Sequence, residues 1–451
     1  MRTSFSQGPI SDDARRLLSC IIGSPETTGN LSHEAVSALE MHLLRRGWPV
    51  GESLGAIPDV QKSLGIGRPA CREAMIILEA RGLLDVRRGP GGGLFVAAPM
   101  TQDVVRAMLM YLSLSQADRR CVQEFRLLVW RMVVEAALQH GLTVDRKAES
   151  GWAVDLAQQA GNPAMILVAQ IAECLVQSCG GRPAAGPDAH LDEALRTRDL
   201  NRAFQRLDEL SDQTRLSSLE QALESMEGSF SKASGRKSAM ALAARLVREE
   251  MVRHPEKPEA EWETADRLGC SDAVVRQARR ILQDFGVVHC QRGRKGAIWG
   301  VPASPGGVIR LLAPCMMTSG ASAEHSAEVA NFLACNGPRL AATRASTSGF
   351  APARFTRPGV SNGDFVDLIE TENLILALAG NPLLSMMTRA LGLANLLSTT
   401  MCISLSRRAE LARINQRILR AIETGDAVSA NTLARTKGEI QKSEATYLQS
   451  A

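Results

Sequence analysis

Two arginines four residues apart, Arg68 and Arg72, are the side chains best suited to chemistry with a partner. At that spacing they leave one face of a helix together, as two forked and permanently charged guanidinium groups. Further on, Arg87-Arg88 runs straight into Gly89-Pro90-Gly91-Gly92-Gly93, a segment that can only be a turn. A guanidinium donates bidentately to the O6/N7 edge of guanine, and cations beside a thin glycine tip can approach phosphates closely. The partner that this pattern fits is double-stranded DNA. Surface arginines are usually a solvated face and glycine runs usually plain turns, so it is their occurrence in one run that carries weight.

The elements that must position these groups lie between Leu64 and Val96. Cys71, Ala74, Met75 and Leu78 follow the i, i+3, i+4, i+7 stripe of a helix packed on a core, which leaves Arg68 and Arg72 on a different side. Gly82 suits the left-handed residue that ends such a helix. Leu83 to Arg88 and Leu94 to Val96 read as the two strands of a hairpin around the glycine turn. The expectation is a helix for the major groove and a hairpin for the phosphates. Upstream, Leu31 to Arg46 reads as an amphipathic helix with Ser32 as its N-cap, Gly47 to Gly51 as a loop, and Pro58 to Leu64 as a second short helix.

Leu64-Gly65, Arg68, Arg72-Glu73-Ala74, Leu78-Glu79, Gly82-Leu83 and Arg87-Arg88-Gly89 with its glycines together resemble the winged helix-turn-helix of the GntR family of bacterial transcription regulators, in its FadR-like branch. The resemblance implies that Arg68 and Arg72 contact DNA from the recognition helix. It implies too that Arg88, Gly91 and Gly92 sit at a wing tip in the minor groove. One departure is plain: Leu54-Gly55-Ala56-Ile57-Pro58 stands where the family has Leu-Pro-Ser-Glu-Arg, so the base contact made by that arginine has no donor here.

The chain then repeats itself. A shift of 204 positions aligns Leu64 with Leu268 and runs without a gap to position 97, matching Gly65/Gly269, Arg72/Arg276, Ala74/Ala278, Ile77/Ile281, Leu78/Leu282, Gly82/Gly286, Arg88/Arg292, Gly89/Gly293 and Gly92/Gly296. Stripe, hinge and turn recur in register, which predicts a second winged helix over 238–302. Its DNA-binding candidates are Ser271, Arg276, Arg292, Arg294 and Lys295. It is altered, however: Asp272 replaces Arg68, Ser271 supplies an N-cap, and Arg279 replaces Met75 on the inward stripe, so that the helix must sit slightly differently or let that arginine snorkel. Contact through phosphates is the expectation for this copy.

From Thr101 the pattern is helical: Val104 to Leu114, Val122 to His140, Ala148 to Ala160, Asn162 to Val176 and Leu191 to Ser211, and it resumes from Gly306 to the end. Ala160-Gly161-Asn162-Pro163 is echoed by Ala379-Gly380-Asn381-Pro382, and Leu191 to Asp199 by Ile418 to Asp426. The fold class expected is mainly α: two winged helix-turn-helix domains with small β wings, each followed by an all-α bundle resembling the FadR C-terminal domain. The expected divisions are an N-terminal arm at 1–30, a winged helix at 31–98, a bundle at 101–227, a Gly/Ser/basic linker at 228–237, a winged helix at 238–302 and a bundle at 306–446.

Many FadR-like bundles hold a metal through one aspartate and three histidines. The matching positions here are Glu149, Ala153, Asp188 and Leu210 in the first bundle, and Leu368, Glu372, Asn415 and Lys437 in the second. None is a histidine, and His190 nearby has no histidine partner, so no metal and no cofactor are expected. Arg126 and Arg131 could meet an acidic effector or serve as a structural ion pair and a surface charge.

Composition bounds the rest. At 451 residues the chain calls for several units, and aromatics at 4% against 45% hydrophobic residues predict aliphatic, helical cores. A net charge of +4 permits nucleic-acid binding without arguing for it. Ten cysteines include no CxxC pair, and Cys71, Cys121 and Cys174 read as core thiols. The N-terminal segment lacks the apolar run of a signal peptide, and no apolar stretch has the length of a membrane span, so a cytoplasmic protein is expected. No nucleophile–base pair, metal set or phosphate loop points to an enzyme.

These readings converge on a sequence-specific transcription regulator with two regulator-like units fused in tandem, reading a bipartite operator. Whether it represses or activates, whether a small-molecule effector is bound, and whether one chain imitates the family's homodimer or two chains associate, all stay open. The alternative of another class is an architectural or protein-interaction factor with weak DNA binding and no effector.

Overall fold

The computed structural model describes residues 12–22, 31–87, 89, 92–115, 117–143, 151–182, 188–228, 236–253, 259–286, 288–290, 297–298, 304–348, 364–398 and 404–449. They are mainly helical, with a small three-stranded antiparallel sheet. The chain begins with α1 (Asp12–Ile22), α2 (Leu31–Arg45), β1 (Ser53–Gly55), α3 (Ile57–Leu64), α4 (Arg68–Ala80), β2 (Leu84–Arg87) and β3 (Gly93–Val96). α4 forms where the apolar stripe predicts it: Cys71, Ala74, Met75, Ile77 and Leu78 are buried, Pro69 occupies the first turn, where its missing N–H costs nothing, and Gly82 turns the chain at φ 75°. β2 and β3 pair from Leu84↔Val96 to Arg87↔Gly93, and β1 adds to the other edge of β3, an antiparallel strand that the sequence pattern did not announce. Trp48 explains its place, since the buried ring donates to the Ala97 carbonyl at 2.8 Å and holds the loop before β1 against the end of β3.

The first helical block comprises α5 (Thr101–Leu114), α6 (Arg120–His140), α7 (Trp152–Gln159), α8 (Pro163–Ser178), α9 (Ala189–Arg196), α10 (Leu200–Asp212) and α11 (Leu219–Gly228). The single helix expected from Leu191 to Ser211 is two, because Arg198 takes φ 54° and Asp199 re-caps the chain by accepting from the Arg202 N–H. The second half follows with α12 (Arg236–Arg253), α13 (Glu261–Leu268), α14 (Asp272–Asp284), β4 (His289–Cys290), β5 (Ala297–Ile298), α15 (Gly306–Thr318), α16 (Ala323–Ser348), α17 (Phe365–Leu378), α18 (Pro382–Ser398), α19 (Leu405–Glu423) and α20 (Ala427–Gln449). Among the described residues the order from α2 to α10 is matched by α12 to α20, the positions that correspond to β1 lying mostly outside them, and α3 and α4 recur as α13 and α14 at the same offset of 204 (261 − 57 and 272 − 68). No described helix is long and apolar enough to cross a membrane.

The two halves are packed against each other. Asn162, the N-cap of α8, donates from Nδ2 to Glu328 Oε2 at 2.9 Å and to the His325 carbonyl at 3.3 Å, both on α16. Asn381, just before α18, donates to Glu124 Oε2 at 2.7 Å and to the Cys121 carbonyl at 3.1 Å, both on α6. Glu328 and His325 are Glu124 and Cys121 shifted by 204, so each half gives the other the same contact that it receives. Such reciprocity is what an isologous interface between two identical subunits produces. α1 crosses between the halves in a different sense. It packs on α15, α17 and α18, and its last carbonyls, Cys20 and Ile21, accept from Asn373 Nδ2 at 2.8 Å and Arg389 Nε at 2.7 Å.

Candidate nucleic-acid interface

Arg68 and Arg72 stand on the first two turns of α4, both exposed. Neither side chain makes a hydrogen bond or ion pair with any described residue, so both guanidinium groups keep all their donors for a partner. Nearby on α3 lies a further exposed cation, Lys62. The β2–β3 hairpin follows α4, and β2 packs on that helix. Its exposed Arg87 lies 4.0 Å over the Phe95 ring and 3.2 Å from Asp85. At the tip the Gly92 N–H donates to the Gly89 carbonyl at 2.9 Å. A Cβ at Gly92 would lie 2.5 Å from the Arg87 carbonyl oxygen and 2.8 Å from that of Gly89, so only glycine fits this closure. Arg88 and Gly91 lie outside the described residues.

The second copy is built differently. Ser271 and Arg276 are exposed near the start of α14, and Ser271 occupies the N-cap position without a side-chain capping bond. Arg276 is not free: its Nε sits 3.0 Å from Glu261 on α13. Arg267 is held by Glu259 at 2.8 Å and Glu249 at 2.5 Å, and Arg280 pairs with Glu73 of α4. Of the two alternatives for Arg279, snorkelling is not what the side chain does. It is buried, and its Nη2 donates to Thr264 Oγ1 at 2.7 Å and to the Glu259 carbonyl at 2.8 Å, which lets a charged side chain sit on an inward stripe. Glu263, Asp266 and Asp272 are exposed on the same pair of helices. Arg292, Arg294 and Lys295 lie outside the described residues.

Sequence reasoning missed what ties the two copies together. α4 packs directly on α14, and a cluster of charges fills the junction. Arg81, with 0% of its side chain exposed, reaches Glu40 of α2 and lies 3.2 Å from Asp284 at the end of α14. Arg310 of α15 lies 3.1 Å from Asp284 and 3.3 Å from Glu40. Two guanidiniums and two carboxyl groups thus meet inside the protein, where burial pushes the Glu40 carboxyl up. Burial opposes ionisation of Asp284, but Arg81 and Arg310 beside it hold its carboxyl below the ordinary range. Ser32, expected as an N-cap, is instead buried within α2 and donates to Glu73 at 2.6 Å, so Glu73 joins α2, α4 and α14. Gly307 permits the close approach, since a Cβ there would overlap the Asp284 carbonyl oxygen and lie 2.5 Å from Phe285 Cα. The only sequence signal was four charges on otherwise apolar stripes, far apart in the chain.

In the bundles both candidate arginines are engaged in ion pairs. Arg126 is buried and grips Glu173 with Nε and Nη2 at 3.0 and 2.7 Å, while Trp130 donates to the same carboxylate at 2.9 Å. Arg131 pairs with Asp208 at 2.6 Å beside Phe204. Of the positions compared with the family's metal ligands, Glu149 lies outside the described residues, Ala153 and Leu368 are buried, and Asp188 caps α9 and pairs with Arg206. Glu372 and Lys437 pair with each other at 2.7 Å, which puts an ammonium against a carboxylate in the second bundle. Beside them in the comparison, Asn415 is buried, and neither polar atom of its amide has a hydrogen-bond partner among the described residues. His190 is exposed at the start of α9. Cys71 and Cys121 are buried thiols, Cys121 pushed up to about 12 by burial and then by Glu124, while Cys174 is half-buried.

Comparison of the chain with protein-family models, with curated proteins and with solved structures finds no match.

Proposed function

We propose that the chain is a DNA-binding transcription regulator that presents α4 to the major groove and the β2–β3 hairpin to the adjoining backbone. The observation that carries this reading is the pair Arg68 and Arg72, exposed and without a partner among the described residues, at the N-terminal end of a helix that packs on the first strand of a glycine-tipped hairpin. Helix, strand, two helices and a hairpin, with sheet order β1-β3-β2, make up the element order of a winged helix-turn-helix. α12 to β5 supply a second unit of the same plan.

Regulators that resemble this one place two such heads on DNA by forming homodimers. Here the reciprocal contacts of Asn162 and Asn381 support a single chain that takes the part of the dimer, with α4 and α14 joined by a buried charge cluster. Each head needs the other as packing surface, whatever it contributes to DNA. The acidic exposed face of α13 and α14 favours a second reading, an architectural or protein-interaction factor that binds DNA only weakly.

Titration of the whole protein with duplex DNA over a range of salt concentrations separates the two. The regulator reading expects log K to fall linearly with log salt, and a lower affinity together with a shallower slope for the Arg68→Ala/Arg72→Ala variant. A variant that binds like the parent at every salt concentration would refute it.

A further inference from the structure

We infer that base reading is confined to the first head, so each chain recognises one half-site and not two. The inference rests on the DNA-binding reading above and sharpens it. α13 and α14 reproduce α3 and α4 residue for residue in length and offset, so Asp272 occupies the position of Arg68, Arg276 that of Arg72, and Glu261 that of Ile57. In the first head both reading positions carry free guanidiniums. In the second, one carries a carboxylate and the other is paired with Glu261 at 3.0 Å.

A carboxylate can accept from cytosine N4, but it must first be carried through the negative potential of the phosphates by neighbouring cations. The described cations of α13 and α14 are already engaged. Arg267 is held by Glu249 and Glu259, Arg276 by Glu261 and Arg280 by Glu73, and Arg279 is buried against Thr264. Exposed Glu263, Asp266 and Asp272 add negative charge to the same pair of helices. Arg292, Arg294 and Lys295 add positive charge to the sequence of the second head, of the kind that attracts phosphates. The DNA recognised by one chain is therefore a single half-site with a flank that contributes salt-dependent affinity and no sequence.

The test is selection of bound duplexes from a random library by the full chain and by the Glu261→Gln/Asp272→Arg variant, with the mass of each complex measured. Both substitutions are at solvent-facing positions, and matched unfolding curves check that the variant is folded. The parent is expected to enrich one conserved block per bound chain. The variant, which gains a free Arg276 and a cation in place of Asp272, is expected to enrich a second block at a fixed distance from the first. Two conserved blocks per chain for the parent would overturn the inference and leave DNA reading intact. A block that stays single in the variant would overturn the roles given to Glu261 and Asp272. No enriched block, together with unchanged binding by Arg72→Ala, would remove the DNA-binding reading itself and the inference with it.

Discussion

Replacing Arg81 by leucine tests how the two heads are joined. Arg81 is buried, and the substitution removes its contacts to Glu40 and Asp284, leaving two buried carboxylates facing the single guanidinium of Arg310. Removing one partner of a buried ion pair costs about 3–5 kcal/mol, because an uncompensated charge stays behind. The double variant Glu40→Leu/Arg81→Leu restores the balance: Arg310 and Asp284 remain as one pair, 3.1 Å apart. It should therefore recover at least half of the loss, since an apolar pair of similar volume often replaces a buried ion pair at little cost. Urea unfolding followed by tryptophan fluorescence and by circular dichroism reads both variants. Because the cluster spans α2, α4, α14 and α15, the single variant should also separate the transitions of the two halves, so that the probes no longer coincide. A single variant within about 1 kcal/mol of the parent, or a double variant that is no better than the single one, would refute the reasoning.

Two further expectations concern the same junctions. Asn162→Ala and Asn381→Ala each lose a bond from a buried amide to a carboxylate on the other half and the capping of a helix start, so each should destabilise by about 2–4 kcal/mol in urea unfolding. Asn381→Asp keeps the cap but sets a second carboxylate against Glu124, so it should be worse than a cap loss alone. His33 is held below its ordinary value of 6.5, by burial first, with Arg280 and Arg310 repelling the proton and Asp284 and Glu73 attracting it. The unfolded chain then binds a proton that the folded one refuses. His33 contributes stability above the ordinary value that is lost as pH falls through it towards the folded one. Unfolding midpoints between about pH 7.5 and pH 5 should fall less steeply for His33→Gln than for the parent.

Much of the first head was legible because its signals are local. The stripe from Cys71 to Leu78, the turn at Gly82 and the glycine tip each dictate their own backbone, and α4, β2 and β3 lie within a residue or two of where those signals put them. The repeat was legible because the positions that set backbone geometry were kept. What the sequence hid was non-local. Nothing around Arg81 or Asp284 says that they meet, and β1 is too short to show a pattern of its own. Arg279 looked misplaced on its stripe because its acceptors lie on the preceding helix, and Arg276 looked like the twin of Arg72 because Glu261 lies fifteen residues away. The reciprocal role of Asn162 and Asn381 needed both the repeat and the packing of the two halves.

The most direct test of the account is to titrate Arg72→Ala and Arg276→Ala against a duplex enriched by the parent protein. A lost base contact costs about 1–3 kcal/mol, or roughly a 5- to 150-fold loss of affinity. The account predicts a loss in that range for Arg72→Ala and a change of less than about twofold for Arg276→Ala, whose side chain is already held by Glu261. Arg72→Ala binding as tightly as the parent, or Arg276→Ala losing as much as Arg72→Ala, would contradict it.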